Sequence, residues 1–290
     1  MTATIGALII AYHPDAGQVE ALGDRVARQV GKLLVIDNSQ PAAELKIPSA
    51  EIIEPGANLG VAAAINQGVA ALAASGCKQV LLLDQDSLPA GDMVARLLDC
   101  LHQAVSQGHK VAAVGPVIRD QADGQAAPFV RFRLPFNRRL RGHQGSVACD
   151  FLITSGCLIN LDCWESVGPM RSDWFIDNID LEWCFRARRA GFTILGCFDT
   201  WLEHAIGQRQ YAVAGRLFAY RHHGPERLYT MMRNRVFLYR SQAPMAWIIQ
   251  DLLRACAKLA WFSLLVAPRW QNMRAMLSGL REGLLRRPVP

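Results

Sequence analysis

The sequence predicts an α/β protein, a mostly parallel sheet flanked by helices, with a helical extension at the C-terminus. Three observations predict it. Over the first 120 residues short apolar runs alternate with segments of helical spacing, polar residues collect just after the apolar runs, and past residue 240 the chain turns long, basic and amphipathic. Alternation of the first kind implies strands joined by crossover helices, which makes neighbouring strands parallel.

Taken in order, IGALIIAY reads as the first strand and residues 15–30 as a helix. LLVID (33–37) is a second strand, 58–74 a helix rich in small residues, QVLLLD (79–84) a strand, 90–106 a helix and VAAVGPVI (111–118) a strand. From 126 to 155 the pattern loosens around an arginine-rich piece, VRFRLPFNRRLRG, ahead of a strand in VACDFLITSG. LINLDCWESVG gives a short strand and helix, and DWFIDNIDLEWCFRARRAGF runs into a helix that stops at Gly191. In parallel sheets ligands bind outside the carboxyl ends of the strands. Tyr12 and His13, then Asp37, Asn38 and Ser39, then Asp84, Gln85 and Asp86 fall at three such ends, so the three clusters are expected to share one crevice.

With 290 residues, 51% of them apolar, the chain can bury a full core. The N-terminal apolar run has no basic residue before it and breaks at Pro14, which predicts a strand and not an export signal. Eight cysteines lie scattered with no C-x-x-C pair, which speaks against a zinc site or a disulfide scaffold and suits reduced thiols in a cytoplasmic protein. The net charge of +6 is unevenly spread, because residues 205–290 hold 14 Lys or Arg against three acids. Such a block suits phosphates on a membrane, a substrate or a nucleic acid. No basic strand is interleaved with aromatics, so nucleic acid is not expected.

The apolar stretch 244–266 places Gln250, Asp251, Arg254 and Lys258 on one helical face and Trp247, Ile248, Leu252, Cys256, Leu259 and Phe262 on the other. Charges at mid-bilayer cost roughly 2.5–3.5 kcal/mol each, so a span is disfavoured. Two readings remain, a helix lying in a membrane interface and a helix packed on the core. The surrounding Arg240, Arg269, Arg274, Arg286 and Arg287 favour anionic lipid, and with it a place on the inner face of the plasma membrane.

In LLLDQDS, residues 81–87, alternation along the strand points Asp84 and Asp86 the same way. Converging carboxylates repel unless a cation or a proton is shared, and a hard divalent ion such as Mg2+ or Mn2+ suits them. One aspartate capping a turn while the other faces water is the alternative.

Across residues 4 to 240, IIAYHP, VIDNSQ, NLGVAAAINQG, LLLDQDS, ITSGCLI, FIDNIDLEWCFRARRAGF and HHGPERLYTMMRNRVFLYR together resemble glycosyltransferase family 2, and among its members the bacterial rhamnosyltransferases. The resemblance implies the inverting GT-A fold, Rossmann-like, over 1–240, with a nucleotide-binding half at 1–120, an acceptor and catalytic half at 121–240, and a basic amphipathic helical tail at 241–290. It implies that Tyr12, Asp37 and Asn38 hold the base and ribose of a nucleoside diphosphate sugar, with Asn58 and Asn66 lining the same pocket. Asp84 would touch ribose or metal, Asp86 and His204 would ligate the metal, and Asp180 would be the base that takes the acceptor's proton. Arg233 would contact the diphosphate or acceptor, and His222 and His223 would approach the diphosphate or begin a helix.

By their residues alone, Asn58 and Asp180 also fit helix N-caps, and Glu182 fits an i,i+4 pair with Arg186. Gly56 and Gly60 allow close backbone approach, and the helix that follows is expected to offer free N–H groups to an anion. The implied activity is transfer of L-rhamnose from dTDP-L-rhamnose to a saccharide, and the basic amphipathic tail suits a lipid-linked one. UDP-galactofuranose or a UDP-hexose as donor is the alternative, as is a non-catalytic membrane-associated protein.

Overall fold

The computed structural model describes residues 4–204, 223–241 and 243–286, and the backbone of 209–211 and 219–221; His222 and Arg287 lie outside the described residues. The first half comprises β1 (Thr4–Ala11), α1 (Ala16–Ala27), β2 (Lys32–Asp37), β3 (Ala50–Ile53), α2 (Val61–Ala74), β4 (Cys77–Asp84), β5 (Ser87–Pro89), α3 (Met93–Ser106) and β6 (Val111–Asp120). Then come β7 (Phe129–Arg131), β8 (Arg138–Leu140), β9 (Ser146–Cys149), β10 (Leu158–Asn160), α4 (Trp164–Val167), α5 (Ile179–Arg189) and β11 (Thr193–His204). The last elements are β12 (Arg209–Tyr211), β13 (Ala219–Arg221), α6 (Pro225–Tyr239), α7 (Met245–Leu264) and α8 (Arg269–Leu285).

The main sheet runs β3-β2-β1-β4-β10-β6-β11-β5, with β9 also on β11. It is mostly parallel, as predicted; β10 lies antiparallel between β4 and β6, and β5 and β9 run antiparallel to β11. Both faces are covered, which is why the inner strands are continuously apolar. Successive residues alternate between two cores: Leu8, Ile10, Leu34, Ile36 and Leu82 pack under Ile65, Val69 and Leu72 of α2. Ala7, Ile9, Leu33, Val35 and Leu83 pack against Val19 and Leu22 of α1 and Leu97 and Leu101 of α3.

Several expected boundaries move for local reasons. α1 ends at Ala27 and not near Val30, with Asp15 accepting from the Gln18 N–H at its start. α2 begins at Val61 and not at Asn58, because Gly60 holds a left-handed φ of +80° and Asn58 Oδ1 takes the Gly60 N–H at 2.9 Å. α3 begins at Met93 because residues 87–89 pair with the end of β11. The strand expected in VACDFLITSG stops at Cys149, where buried Asp150 turns the chain by accepting from the Phe132 N–H and pairing with Arg188. Seven of the eight cysteines are buried and all are free.

The tail corrects the expected faces of α7. Trp247 and Phe262 are buried as expected, but Asp251 turns inward at 4% exposure while Leu252 and Cys256, assigned to the apolar face, are exposed. The reason is a partner on α6: Arg235 Nε donates to Asp251 Oδ2 at 2.5 Å and Tyr239 Oη donates to the same oxygen at 2.8 Å. α8 packs along α6, where Gly279 faces the Tyr229 carbonyl so closely that a Cβ would sit 2.3 Å from it. No described helix is long and apolar enough to cross a membrane. Replacing Asp251 with Ala strands a buried guanidinium, so we expect a loss of about 3–5 kcal/mol, read from the midpoint and slope of urea unfolding.

Candidate active site

A cavity of about 1020 Å³ opens at the carboxyl ends of β1, β4 and β6. Tyr12, Asp84, Asp86, Asp180 and His204 line it, with an apolar wall that includes Ile118, Pro128, Phe129 and Val130. All three expected clusters are tied together beside it: Gln85 Oε1 accepts the Tyr12 N–H at 2.7 Å, and Ser39 Oγ accepts the His13 N–H at 2.7 Å.

Asp84 is the last residue of β4, and the chain turns at once into β5. β5 pairs antiparallel with the end of β11 so that Ser87 faces His204. That register carries the imidazole to the acidic pair: His204 Nδ1 is 3.3 Å from Asp86 Oδ1, and Nε2 is 3.8 Å from Asp84 Oδ2. The three ligand atoms lie within 4.8 Å of one another. His204 Nδ1 is buried and has no properly angled hydrogen bond among the described residues, despite the close carboxylate. Two carboxylate oxygens and an imidazole nitrogen, one of them unsatisfied, form a donor set that fits a first-row divalent cation. The turn is fixed from behind, where Ser87 Oγ and Ser155 Oγ meet at 2.5 Å and Ser155 also accepts the Asp84 N–H.

Burial raises Asp84 to about 6; the His204 charge opposes the shift and Asp86 adds to it. Its side chain still keeps 37% of its surface open through the cavity mouth, so the desolvation comes from the walls and not from a sealed interior. Asp180, in the first turn of α5, is likewise raised to about 6, chiefly by burial. The Leu181 N–H, donating to Asp180 Oδ1 at 2.8 Å, pulls it down, while Asp177 and Asp84 push it up. Asp84 and Asp180 line the same cavity.

The segment before α5 is bent. Phe175, Asp177 and Asn178 all have positive φ, at 66°, 65° and 63°. The Phe175 carbonyl accepts the N–H groups of Val61 and Ala62, which corrects the expectation that the start of α2 is free for an anion. Gly60 makes this approach possible, since a Cβ there would lie 2.4 Å from the Phe175 ring.

Five of the expected residues do not line the cavity. Asp37, 1% exposed, accepts from Ser39 and from the Ala43 N–H, and so shapes the loop after β2. Asn38 donates to the Gly60 carbonyl at 3.4 Å and keeps its buried Oδ1 without a partner among the described residues. Asn58 is exposed and bonded to its own turn. Asn66 is fully engaged by Met170 and Ser172, which fastens α2 to the stretch before α5. Arg233 faces away from the cavity, donating to the Asp173 and Trp174 carbonyls, because the α6 face that carries it packs on that stretch. Glu182 does pair with Arg186, at 2.9 Å, and also reaches Arg171.

Residues that the sequence reading missed are Ser87, Ser155 and Arg227. Ser155 stood in a quoted motif, ITSGCLI, but nothing local ties it to the DQDS turn. Arg227 lines the cavity and grips Asp177 with Nε and Nη2, at 3.4 and 3.1 Å, across 50 residues of chain.

No family model matches the chain. It is 27% identical over 262 residues, 87% of its own length and 86% of the relative's, to the dTDP-rhamnosyl transferase RfbF of Shigella flexneri. Among solved structures it is similar to S. aureus TarS 1-349 in complex with UDP-GlcNAc, at a TM-score of 0.61 and 13% identity over 99% of this chain and 82% of that one. It is also similar to GalNAc-T7 with UDP, GalNAc and Mn2+, at a TM-score of 0.59 and 11% identity over 98% of this chain; it spans only 56% of that chain's length. The resemblance carried by the motifs and the architecture of the sheet meet in one conclusion: the chain has the GT-A glycosyltransferase fold and is a relative of a bacterial dTDP-rhamnosyl transferase.

Proposed function

We propose that the chain is an inverting, metal-dependent glycosyltransferase that moves L-rhamnose from dTDP-L-rhamnose to a saccharide acceptor. One observation carries the reading: Asp180 shares a cavity with the Asp84, Asp86 and His204 group, so a base and a cation site face one reaction space. The relative's activity supports the donor, and the apolar wall of Ile118, Pro128, Phe129 and Val130 suits the methyl of a 6-deoxy sugar. A UDP-hexose is the second reading, favoured by the UDP named with both solved neighbours.

In this proposal Asp84, Asp86 and His204 hold a divalent cation, which supplies Lewis-acid stabilisation of charge on the departing nucleoside diphosphate. Tyr12 at the cavity rim receives the nucleoside, and the buried Asp37–Asn38 loop supports that rim from behind through the Ser39 contact to the His13 N–H. Asp180 accepts the proton of the acceptor hydroxyl, and a carboxylate raised to about 6 is ionised at neutral pH yet basic enough for the task. A base and a leaving group on opposite sides of the anomeric carbon give inversion. We retain the division at residue 240, with 1–120 serving the nucleotide and 121–240 the acceptor.

The acceptor is proposed to be lipid-linked and the protein peripheral on an anionic membrane, at the inner face of the plasma membrane. Its support is the outer face of the tail, where Met245, Ile249, Leu253, Leu264 and Trp270 are exposed beside Arg254, Arg269 and Arg274.

Asp180→Asn should leave nucleotide binding intact and lower kcat by about 10²–10⁴-fold, measured by release of the nucleoside diphosphate. In the wild type kcat should rise with pH and level off above about 6, as the base loses its proton. Without metal, the native state holds protons on Asp84 and Asp180 between about pH 4 and 6 that the unfolded chain has already lost. Folding stability therefore falls as pH rises through that window, and a cation should restore it. Mn2+ with dTDP should raise Tm clearly at pH 7.5 and little at pH 4.5, and Asp86→Asn should remove the metal-dependent part. Sedimentation with phosphatidylglycerol vesicles should retain the wild type, less so at high salt, and Leu253→Glu should release it with Tm unchanged.

A further inference from the structure

The approach to Asp180 is a backbone that would not hold its shape unaided. Three residues with side chains, Phe175, Asp177 and Asn178, lie in the left-handed region within four positions. Conformations of this kind are strained and persist where surrounding groups over-determine them. The surrounding group here is on α6. Asn234, fully buried, shares the two hydrogens of its Nδ2 among the carbonyls of Trp174, Ile176 and Asp177, at 2.9, 2.6 and 3.0 Å. Its Oδ1 accepts from Arg233 Nε at 3.0 Å, and the same guanidinium donates to the Asp173 and Trp174 carbonyls. Every polar atom of the Asn234 side chain is therefore engaged, either on the segment or on the residue that helps to hold it. From Asn178 the chain enters α5, and Asp180 stands in its first turn.

We propose that Asn234 is a positioning residue for the transfer reaction: by clamping the carbonyls of 174, 176 and 177 it fixes where α5 presents the Asp180 carboxylate to the cavity. Asn234 does not line the cavity and touches no reacting atom; it acts through Asp180. The inference rests on the reading of Asp180 as the base. An amide is required because the clamp is made of donors facing carbonyls. A carboxylate of the same size would offer none and would add repulsion, and a serine would keep one donor.

The test compares Asn234→Asp and Asn234→Ser with the wild type. The proposal expects Asn234→Asp to lower kcat by about 10²-fold with the KM for the donor within about twofold, since displacement of a reacting group by about 1 Å costs that much. Asn234→Ser should fall between. In the double variant Asp180→Asn with Asn234→Asp, turnover should be no lower than in Asp180→Asn alone, because the clamp has nothing left to position. Amide hydrogen exchange supplies a readout independent of activity. Exchange at residues 175–179 should quicken about tenfold while β1 and β4 amides keep their protection. If Asn234→Asp does not fold, Asn234→Ser carries the same four measurements. Multiplicative loss in the double variant, an equal change in KM and kcat, or unaltered exchange at 175–179 would each overturn the proposal. Wild-type turnover in Asp180→Asn would instead remove Asp180 as the base, and the exchange result would then decide the clamp alone.

Discussion

Like charges held together at the end of β4 are the constraint on which the rest of the site depends. Asp84 ends β4 and Asp86 lies in the turn that follows it, and the two stay together because that turn is fastened on three sides. Gln85 holds the β1 end, Ser87 and Ser155 meet behind the turn, and β5 joins the last residues of β11. The same pairing that steadies the turn brings His204 into it. Repulsion between carboxylates is thus built into the fold, and in the proposed function a cation is the third party that relieves it.

The far side of the cavity is organised by a different force, hydrogen bonding of an irregular backbone. Residues 173–177 show their carbonyls to α6 and α2 instead of to water, and buried carbonyls without partners would be costly. Arg233 and Asn234 meet them from α6, and the N–H groups of Val61 and Ala62 meet the Phe175 carbonyl from α2. Two helices from distant parts of the chain therefore agree on the position of one bend. α8 in turn supports α6, with Glu282 bonded to Tyr229 and near Arg233, so the tail contributes to the site from behind whatever its outer face meets.

Legibility followed the range of the interaction. Strands buried on both faces, and helices with caps or stripes, show themselves in the sequence; β1, β2, β4, β6 and α5 fall where spacing predicts them. β5 was invisible because three residues carry no period, and its existence depends on β11 more than 100 residues away. Asn66 and Arg233 come as site residues from the resemblance, yet each has a backbone to hold that only the folded chain brings near. For α7 the helical periodicity holds, but the polar and apolar faces do not divide cleanly into outer and inner: Trp247 and Phe262 are buried, and so is Asp251. Asp251 looked like a solvent residue until Arg235 came opposite. The grouping of Asp84, Asp86 and His204 rests on the resemblance for its third member, since spacing says nothing of a histidine 118 residues from the second aspartate.

Binding of Mn2+ followed by electron paramagnetic resonance, in the presence of dTDP, tests the central claim most directly. The account predicts one Mn2+ per chain, with Asp86→Asn and His204→Ala each weakening that binding by at least about tenfold while leaving the fold intact. Equal binding by the wild type and both variants would contradict it.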